Sequence, residues 1–258
     1  MVSKLWIPSL LCAAVAGAQP ANQTGIAHVA FRVADLEAAR GFYNKLGYEQ
    51  FFEMKQGERT TEAFLKINDH QFIELYPRTD AAQVLGLMHV CYESSDLEAL
   101  HADYVRRGLT VSDVRKAGAG NMLMTMKDPE GQTIEYTQYM PGSRHFEDRG
   151  KHLGANRVSP TLVGVTAPAR DVAAIRAFYV DKLGFTAAGT TSVLRMPGDS
   201  GQVLQVSEAA TSGIQFGVTD LQQMAARLLG LGLTTASTLT SVTVADPDGV
   251  AVAFVRHN

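Results

Sequence analysis

The chain of 258 residues begins the same strand-and-helix pattern four times. Each copy opens with an alternating apolar strand and continues into a helix with one apolar stripe. The four copies read GIAHVAFRVADLEAARGFYNKLG, LMHVCYESSDLEALHADYVRRG, TLVGVTAPARDVAAIRAFYVDKLG and GIQFGVTDLQQMAARLLGLG. Such repetition constrains a fold more than composition does, because every copy has to bury an equivalent face.

An aspartate stands where each helix should begin, and a glycine stands where each should end. Aspartate caps free backbone N–H groups at a helix start, and glycine tolerates the positive φ of a helix exit. The aspartates are Asp35, Asp96, Asp171 and Asp220, and the glycines are Gly47, Gly108, Gly184 and Gly230.

Shorter strand-like runs follow each helix, among them EQFFEM, TEAFLKIN and QFIELYP, then LTVSDV, NMLMTM and TIEYTQY. The turn Asp128-Pro129-Glu130-Gly131 joins the last two, and Asp246-Pro247-Asp248-Gly249 repeats it. We therefore predict an α+β fold of four βαβββ modules arranged as two pairs.

The N-terminus has a different character from the repeats. Lys4 precedes the apolar run LWIPSLLCAAVA, and a small-residue Ala-Gly-Ala exit follows. This order is typical of a secretory signal peptide, so we predict that residues 1–18 are cleaved near Ala18 and that the protein is secreted or periplasmic. We place the first paired domain at residues 24–140, a polar linker at 141–158 and the second domain at 159–257.

Composition excludes some classes of function. A formal charge of -3 without basic clusters argues against a nucleic-acid partner, and no membrane partner is expected once the signal is removed. Cys12 would leave with the signal, so Cys91 alone cannot form an intramolecular disulfide. Ligands for chemistry should therefore be oxygen and nitrogen atoms, and the expected partner is a small molecule, with a homodimer possible.

Two histidines and two glutamates occupy equivalent strand positions in the first two modules. Each module has a histidine in its first strand, His28 or His89, and a glutamate in its last strand, Glu74 or Glu135. A single strand histidine is usually a core or surface group, but a glutamate inside FIELY would be unfavourable if buried unpaired. Two imidazoles and two carboxylates suit a divalent first-row metal, so the set predicts a metal site.

The segments HVAFRV, FIELYP, LMHVCYE and DPEGQTIE resemble the vicinal oxygen chelate superfamily of glyoxalases, bleomycin resistance proteins and dioxygenases. The resemblance implies tandem domains, each a curved mixed sheet with its helices outside. It also implies that His28, Glu74, His89 and Glu135 are the ligands of a divalent ion, with Fe, Ni, Zn, Co and Mn all open.

The second half lacks this set. Aligned on the first half, it has Gly164, Gln205, Gly213 and Ala253 at the four ligand positions. We interpret residues 159–257 as a degenerate domain with a structural role. The ligands should then come from one unexchanged half, or from the first halves of two chains.

The resemblance implies catalytic roles as well. In glyoxalase I the ligand glutamates also act as bases, which assigns Glu135 and Glu74 here. Arg32 matches an arginine that contacts a substrate carboxylate in that enzyme. The basic residues of the linker either cover the pocket or form a solvated connection, and the methionines of NMLMTM line either a pocket or the core.

Three functions stay open at this point. A glyoxalase-type isomerase or lyase working through a metal-stabilised enediolate is favoured over an extradiol dioxygenase using Fe(II). A non-catalytic binding protein of the drug-resistance type is the third.

Overall fold

The computed structural model describes residues 22–187, 192–209 and 211–257. The predicted signal peptide lies outside the described residues. Within the described ranges, no helix has the length and apolar character needed to cross a membrane.

The first half of the molecule is one eight-stranded sheet with two flanking helices. Its elements are β1 (Gln23–Val33), α1 (Leu36–Lys45), β2 (Glu49–Gln56), β3 (Arg59–Lys66), β4 (Phe72–Pro77), β5 (Gly86–Ser94), α2 (Leu97–Arg106), β6 (Arg115–Lys116), β7 (Met122–Lys127) and β8 (Thr133–Gln138). The strand order is β2-β3-β4-β1-β5-β8-β7-β6. Strand β4 runs parallel to its neighbour β1, and β8 runs parallel to its neighbour β5. Strands β1 and β5 are antiparallel to each other, so the sheet is mixed.

The second half repeats this order. After a short helix α3 (Arg144–Glu147) come β9 (Leu162–Pro168), α4 (Val172–Ala177) continued by a π-helical turn (Phe178–Lys182), β10 (Thr186–Ala187), β11 (Val193–Arg195), β12 (Val203–Ser207), β13 (Gly213–Val218), α5 (Leu221–Gly230), β14 (Ala236–Ser237), β15 (Ser241–Ala245) and β16 (Ala251–Arg256). The order β10-β11-β12-β9-β13-β16-β15-β14 matches the first sheet strand for strand. The predicted α+β architecture of two curved mixed sheets with outer helices is confirmed.

The four predicted aspartate caps are present. Asp35, Asp96, Asp171 and Asp220 each accept hydrogen bonds from backbone N–H groups of the first helical turn. The helix exit predicted at Gly230 is wrong: Gly230 is the last residue of α5, and Gly232 takes the positive φ of 72°.

The strand predicted over LTVSDV is also wrong. Residues 109–114 make only an isolated bridge between Val111 and Met126, and the edge strand is the two-residue β6. A short edge strand leaves few unpaired backbone groups exposed to other chains. On β7, Met124 and Met126 are buried in the hydrophobic core, so of the two alternatives left open by the sequence, pocket lining or core, the methionines belong to the core.

The two halves bind each other through glutamines related by the internal repeat. Gln202 accepts from the backbone N–H of Ile26 at 2.5 Å and donates to the carbonyl of Leu162 at 3.0 Å. Gln71 accepts from the N–H of Leu162 and donates to its carbonyl, both at 2.9 Å. Because these groups are buried, the exchange satisfies backbone hydrogen-bonding groups of β1 and β9 at the interface between the halves.

The repeated turns make a second reciprocal contact between the halves. Glu130 accepts from the backbone N–H groups of Arg170 and Asp171, at 2.8 and 2.7 Å. Asp248 accepts in the same way from the N–H of Ala34 at 3.2 Å. Each turn thus binds the start of a helix in the opposite half.

Candidate metal centre

The four predicted ligands lie on four adjacent strands. Strands β4, β1, β5 and β8 are neighbours in that order, and they carry Glu74, His28, His89 and Glu135 respectively. In the register, Ala30 stands beside both Glu74 and His89, while Cys91 stands beside both His28 and Glu135. Because alternate residues of a strand share a face, this diagonal register brings all four side chains to one side of the sheet.

The ligand atoms are close together. Nε2 of His28 lies 3.1 Å from Nε2 of His89 and 3.2 Å from a Glu135 oxygen. Nδ1 of His28 lies 3.3 Å from Glu74, so the two carboxylates approach different nitrogens of one ring. Nε2 of His89 is 3.6 Å from Glu74 and 4.0 Å from Glu135.

Burial sets the protonation of these groups. It lowers the pKa of His28 to about 4 against the opposing charge of Glu74, and it lowers the pKa of His89 as well. Burial raises the pKa of Glu74 and of Glu135. Both imidazoles are therefore neutral near neutral pH, and each has a nitrogen lone pair available for a cation.

This donor set fits a divalent metal ion. Metal–nitrogen bonds of about 2.1 Å at right angles place two ligand atoms roughly 3 Å apart. The separations of 3.1–4.0 Å between His28, His89 and the carboxylates lie in the range that ligands of one ion occupy. A buried pair of carboxylates with two neutral imidazoles is also unfavourable without a compensating positive charge.

Cys91 lies closer to this cluster than the sequence indicates. Its sulfur is within 4.8 Å of ligand atoms of both His28 and Glu135. Burial raises the pKa of its thiol, so Cys91 stays protonated and is a weak ligand beside the imidazoles.

A cavity of about 250 Å³ opens onto the cluster and is lined by His28, Glu74 and Glu135. Other lining residues are Glu62, Tyr76, Arg115, Asn121, Tyr139 and His145. None of these six was predicted as a ligand, base or substrate-binding residue, although His145 belongs to the linker whose basic residues were one candidate for covering the pocket.

Glu62 adds a third carboxyl group to the site. Phe64 of β3 stands opposite Glu74, which places Glu62 beside Tyr76. The Tyr76 hydroxyl hydrogen-bonds to Glu62 and lies 3.2 Å from a Glu74 oxygen. Burial, followed by the charge of Glu74, raises the pKa of Glu62 to about 9, so Glu62 is a neutral acid near neutral pH. Alternation along TEAFLKIN, with Glu62 and Phe64 on one face, was the available sequence signal.

Arg32 lies apart from the cavity. It is half-buried on β1, and its guanidinium donates to the carbonyl of Val84 at 3.4 Å. Among the described residues, Arg115 is the cation that lines the cavity, and its charge acts on Glu135. A substrate-binding role for Arg32 stays a prediction.

The equivalent place in the second half contains amides. Gln215, which occupies the position of Cys91 in the register, donates to Gln205 at 2.9 Å and to Thr166 at 3.2 Å. A Cβ added to Gly164 would lie 2.8 Å from Val203, so a histidine there would clash with the neighbouring strand. The four predicted ligands thus all lie on the first sheet of one chain.

Comparison with known proteins gives a family for the first half of the chain. Residues 25–136 match the model of the Glyoxalase/Bleomycin resistance protein/Dioxygenase superfamily. Residues 25–136 form a domain of that superfamily. No curated protein sequence matches the chain.

The fold resembles solved structures of this superfamily at low sequence identity. The 2,3-dioxygenase LapB from Pseudomonas sp. KL28 is 13% identical with a TM-score of 0.71, over 92% of this chain and 93% of that one. The Mn(II)-bound glyoxalase from Novosphingobium aromaticivorans is 15% identical with a TM-score of 0.69, over 91% and 82%. Homoprotocatechuate 2,3-dioxygenase from Brevibacterium fuscum, in its complex with 3,4-dihydroxyphenylacetate, is 18% identical with a TM-score of 0.64, over 94% and 83%. At these identities the likeness shows the fold alone.

Proposed function

We propose that this protein is a divalent-metal-dependent enzyme that acts on a small substrate with two neighbouring oxygens, by isomerase or lyase chemistry of the glyoxalase type. The observation that carries the proposal is the convergence of His28, Glu74, His89 and Glu135, three of which, all but His89, line one cavity. These residues would hold the ion. A bound divalent ion supplies Lewis-acid polarisation of substrate oxygens.

Glu135 is the proposed base. Its side chain lines the cavity and remains 14% exposed, compared with 5% for Glu74. Its carboxylate is therefore the one that a substrate in the cavity can reach, as a base that takes a proton from carbon requires. Glu74 is held by the hydroxyl of Tyr76, so it is the more fixed of the two carboxylates.

The cavity favours a compact substrate. Its volume of about 250 Å³ lies below the usual range of roughly 300–1,000 Å³ for ligand sites. It would enclose a short-chain or single-ring compound, whereas a peptide-thiol adduct would extend into solvent. Arg115 at the mouth would favour a substrate with an anionic group.

Glu135→Gln tests the proposed base. We expect turnover of the variant to fall by at least about a hundredfold, which is typical of a lost general base, and its metal content, measured by mass spectrometry of the purified protein, to fall much less. The assay follows exchange of C–H protons for deuterium in hydroxyacetone and in the hemithioacetal of methylglyoxal. Glu37→Gln is the matched control, since the Glu37 side chain is 78% exposed on α1. Full exchange by Glu135→Gln would remove Glu135 as the base.

An extradiol dioxygenase using Fe(II) is the second candidate. It is favoured by the similarity in fold to LapB and to the homoprotocatechuate enzyme. It predicts oxygen uptake with catechol by the Fe(II)-loaded protein, whereas the glyoxalase-type proposal predicts C–H exchange without oxygen. A binding protein predicts ligand retention with neither reaction.

Export and assembly belong to the same proposal. We expect the mature protein to begin near residue 19, which N-terminal sequencing of protein secreted by a bacterial host would test. A homodimer is testable by light scattering of the mature protein.

A further inference from the structure

The residues between the two sheets pack against the first one. Residues 141–158, the connector, include α3, and from it His145 inserts among aromatic rings with only 4% of its surface exposed. Ring centroids of Phe51, Phe52, Phe64, Phe72 and Tyr139 lie 4.6–5.7 Å from that of His145. His145 is thus a fixed residue of the cavity wall.

The hydrogen bonds of Asn121 determine which nitrogen of His145 bears the proton. The Asn121 side-chain oxygen accepts from the backbone N–H of Met140 at 3.3 Å, which orients the amide. Its nitrogen therefore faces His145 and donates to Nδ1 at 2.9 Å. Nδ1 is an acceptor, so in the neutral ring the proton is on Nε2. Burial lowers the pKa of His145 to about 3, and the ring is accordingly neutral near neutral pH.

Nε2 of His145 has no hydrogen-bond partner. The atom is buried, and no described residue offers it an acceptor, although the ring lines the cavity together with His28, Glu74 and Glu135. A buried N–H without a partner is unfavourable, because it has lost its hydrogen bond to water and gained none in the protein. A donor left unpaired in this wall can recover that free energy from a ligand bound in the cavity.

We propose that His145 is a substrate-binding residue, whose Nε2–H donates a hydrogen bond to a substrate oxygen other than the two neighbouring ones. This inference rests on the proposed function, which makes the cavity the substrate site. His145 packs against Phe72, which stands beside His28 in the register of β1 and β4. The donor therefore stands near the ligand cluster, on the connector side, and selects substrates with a third oxygen acceptor.

Two probes that each chelate a metal ion through two neighbouring oxygens test the inference on the Zn²⁺-loaded full-length protein. Oxalate has two further oxygens at its other end, whereas acetohydroxamate presents a methyl group there. We compare the wild type with His145→Phe, which keeps an aromatic ring and loses the donor, and with His145→Gln, which keeps an N–H donor. Binding is measured by calorimetry, and zinc content and thermal unfolding are measured for all three proteins.

The expected result is that His145→Phe binds oxalate about tenfold more weakly, as for one hydrogen bond lost to a charged acceptor. Acetohydroxamate should bind all three proteins equally, and His145→Gln should recover most of the oxalate affinity. Nitrogen-15 NMR of labelled histidine should show Nε2–H in the free protein and a downfield shift of that proton with oxalate. This measurement needs no variant.

Equal affinity of oxalate for the wild type and His145→Phe, or an Nδ1–H tautomer, would overturn the inference and leave the proposed function intact. Failure of the wild type to bind zinc, or of the zinc-loaded protein to bind either probe, would overturn both.

Discussion

Substitution of Lys66 by methionine should destabilise the protein through one buried cluster. The Lys66 side chain is fully buried on β3, and each of its three N–H donors has an acceptor. Nζ lies 2.5 Å from the carbonyl oxygen of Asp148, 2.9 Å from an Asp148 carboxylate oxygen and 2.9 Å from Asp69. This cluster joins the connector to the sheet beneath it.

The size of the expected loss of stability follows from the carboxylate that Lys66→Met leaves without its cation. Methionine fills a similar volume, so little cavity is created, but the carboxylate of Asp148 loses its cation while only 10% exposed. Breaking a buried ion pair by removing one partner costs about 3–5 kcal/mol. Asp69 is 34% exposed and His152 still contacts Asp148 at 2.6 Å, so we expect the lower end, about 3 kcal/mol. For a chain of this size, that loss corresponds to a decrease in Tm of roughly 6–12 °C.

Urea unfolding at neutral pH, followed by circular dichroism, measures the loss. Lys55→Met is the control, because Lys55 makes the same kind of pair with Glu53 at 2.6 Å but is 50% exposed. Exposed pairs contribute at most about 1 kcal/mol. Lys66→Met combined with Asp148→Asn should be less destabilised than the sum of the single changes, since the second change removes the unpaired charge. A loss for Lys66→Met no larger than that for Lys55→Met would refute the reasoning.

Three further substitutions probe the same scaffold. A Cβ at Gly154 would lie 2.1 Å from the carbonyl oxygen of Gly47, so Gly154→Ala should lower the free energy of unfolding by about 1–3 kcal/mol. Gly41 has open space around it inside α1, so Gly41→Ala should raise the free energy of unfolding by roughly 0.5–1 kcal/mol. Urea unfolding measures both variants, and equal effects would contradict the predicted clash. Burial raises the pKa of Asp246 above its unfolded value, so the ionisation of Asp246 weakens folding as pH rises through the folded pKa. The stability of Asp246→Asn relative to the wild type should therefore increase as pH rises from about 3 to about 7. A difference in stability that does not depend on pH would contradict this prediction.

The features predictable from the sequence are those encoded by local spacing. Alternation within strands placed His28 and Glu74 on their faces, and the internal repeat showed that His89 and Glu135 occupy equivalent positions. Their convergence then depends on which strands are neighbours, and the family resemblance implied that the four side chains bind one ion. The aspartate caps were predictable for the same reason, because a cap and the N–H groups it binds are two or three residues apart.

The residues that surround the ligands were not predictable in this way. Asn121 and His145 meet across a turn and a helix that no periodicity describes, and Lys66 meets Asp148 at a separation of 82 residues. The basic connector was open to two interpretations in the sequence, and its packing against the sheet depends on tertiary contacts of single residues. For Arg32, alternation along the strand predicted the face of the sheet on which the residue lies. The direction of such a long side chain depends on its surroundings, and in the structure the guanidinium donates to the carbonyl of Val84.

The second half, although it lacks the ligands, contributes to the site through strand β1. Ile26 lies two residues before His28, and its backbone N–H is bound by Gln202 of the second half at 2.5 Å. Gln71, just before β4 and its Glu74, exchanges two hydrogen bonds with Leu162. Without the second half, these buried donors and acceptors would face water at the ends of the two strands that place His28 and Glu74. The second half therefore supports the positions of the predicted ligands through contacts across the interface, although its own sheet has no equivalent residues at those positions.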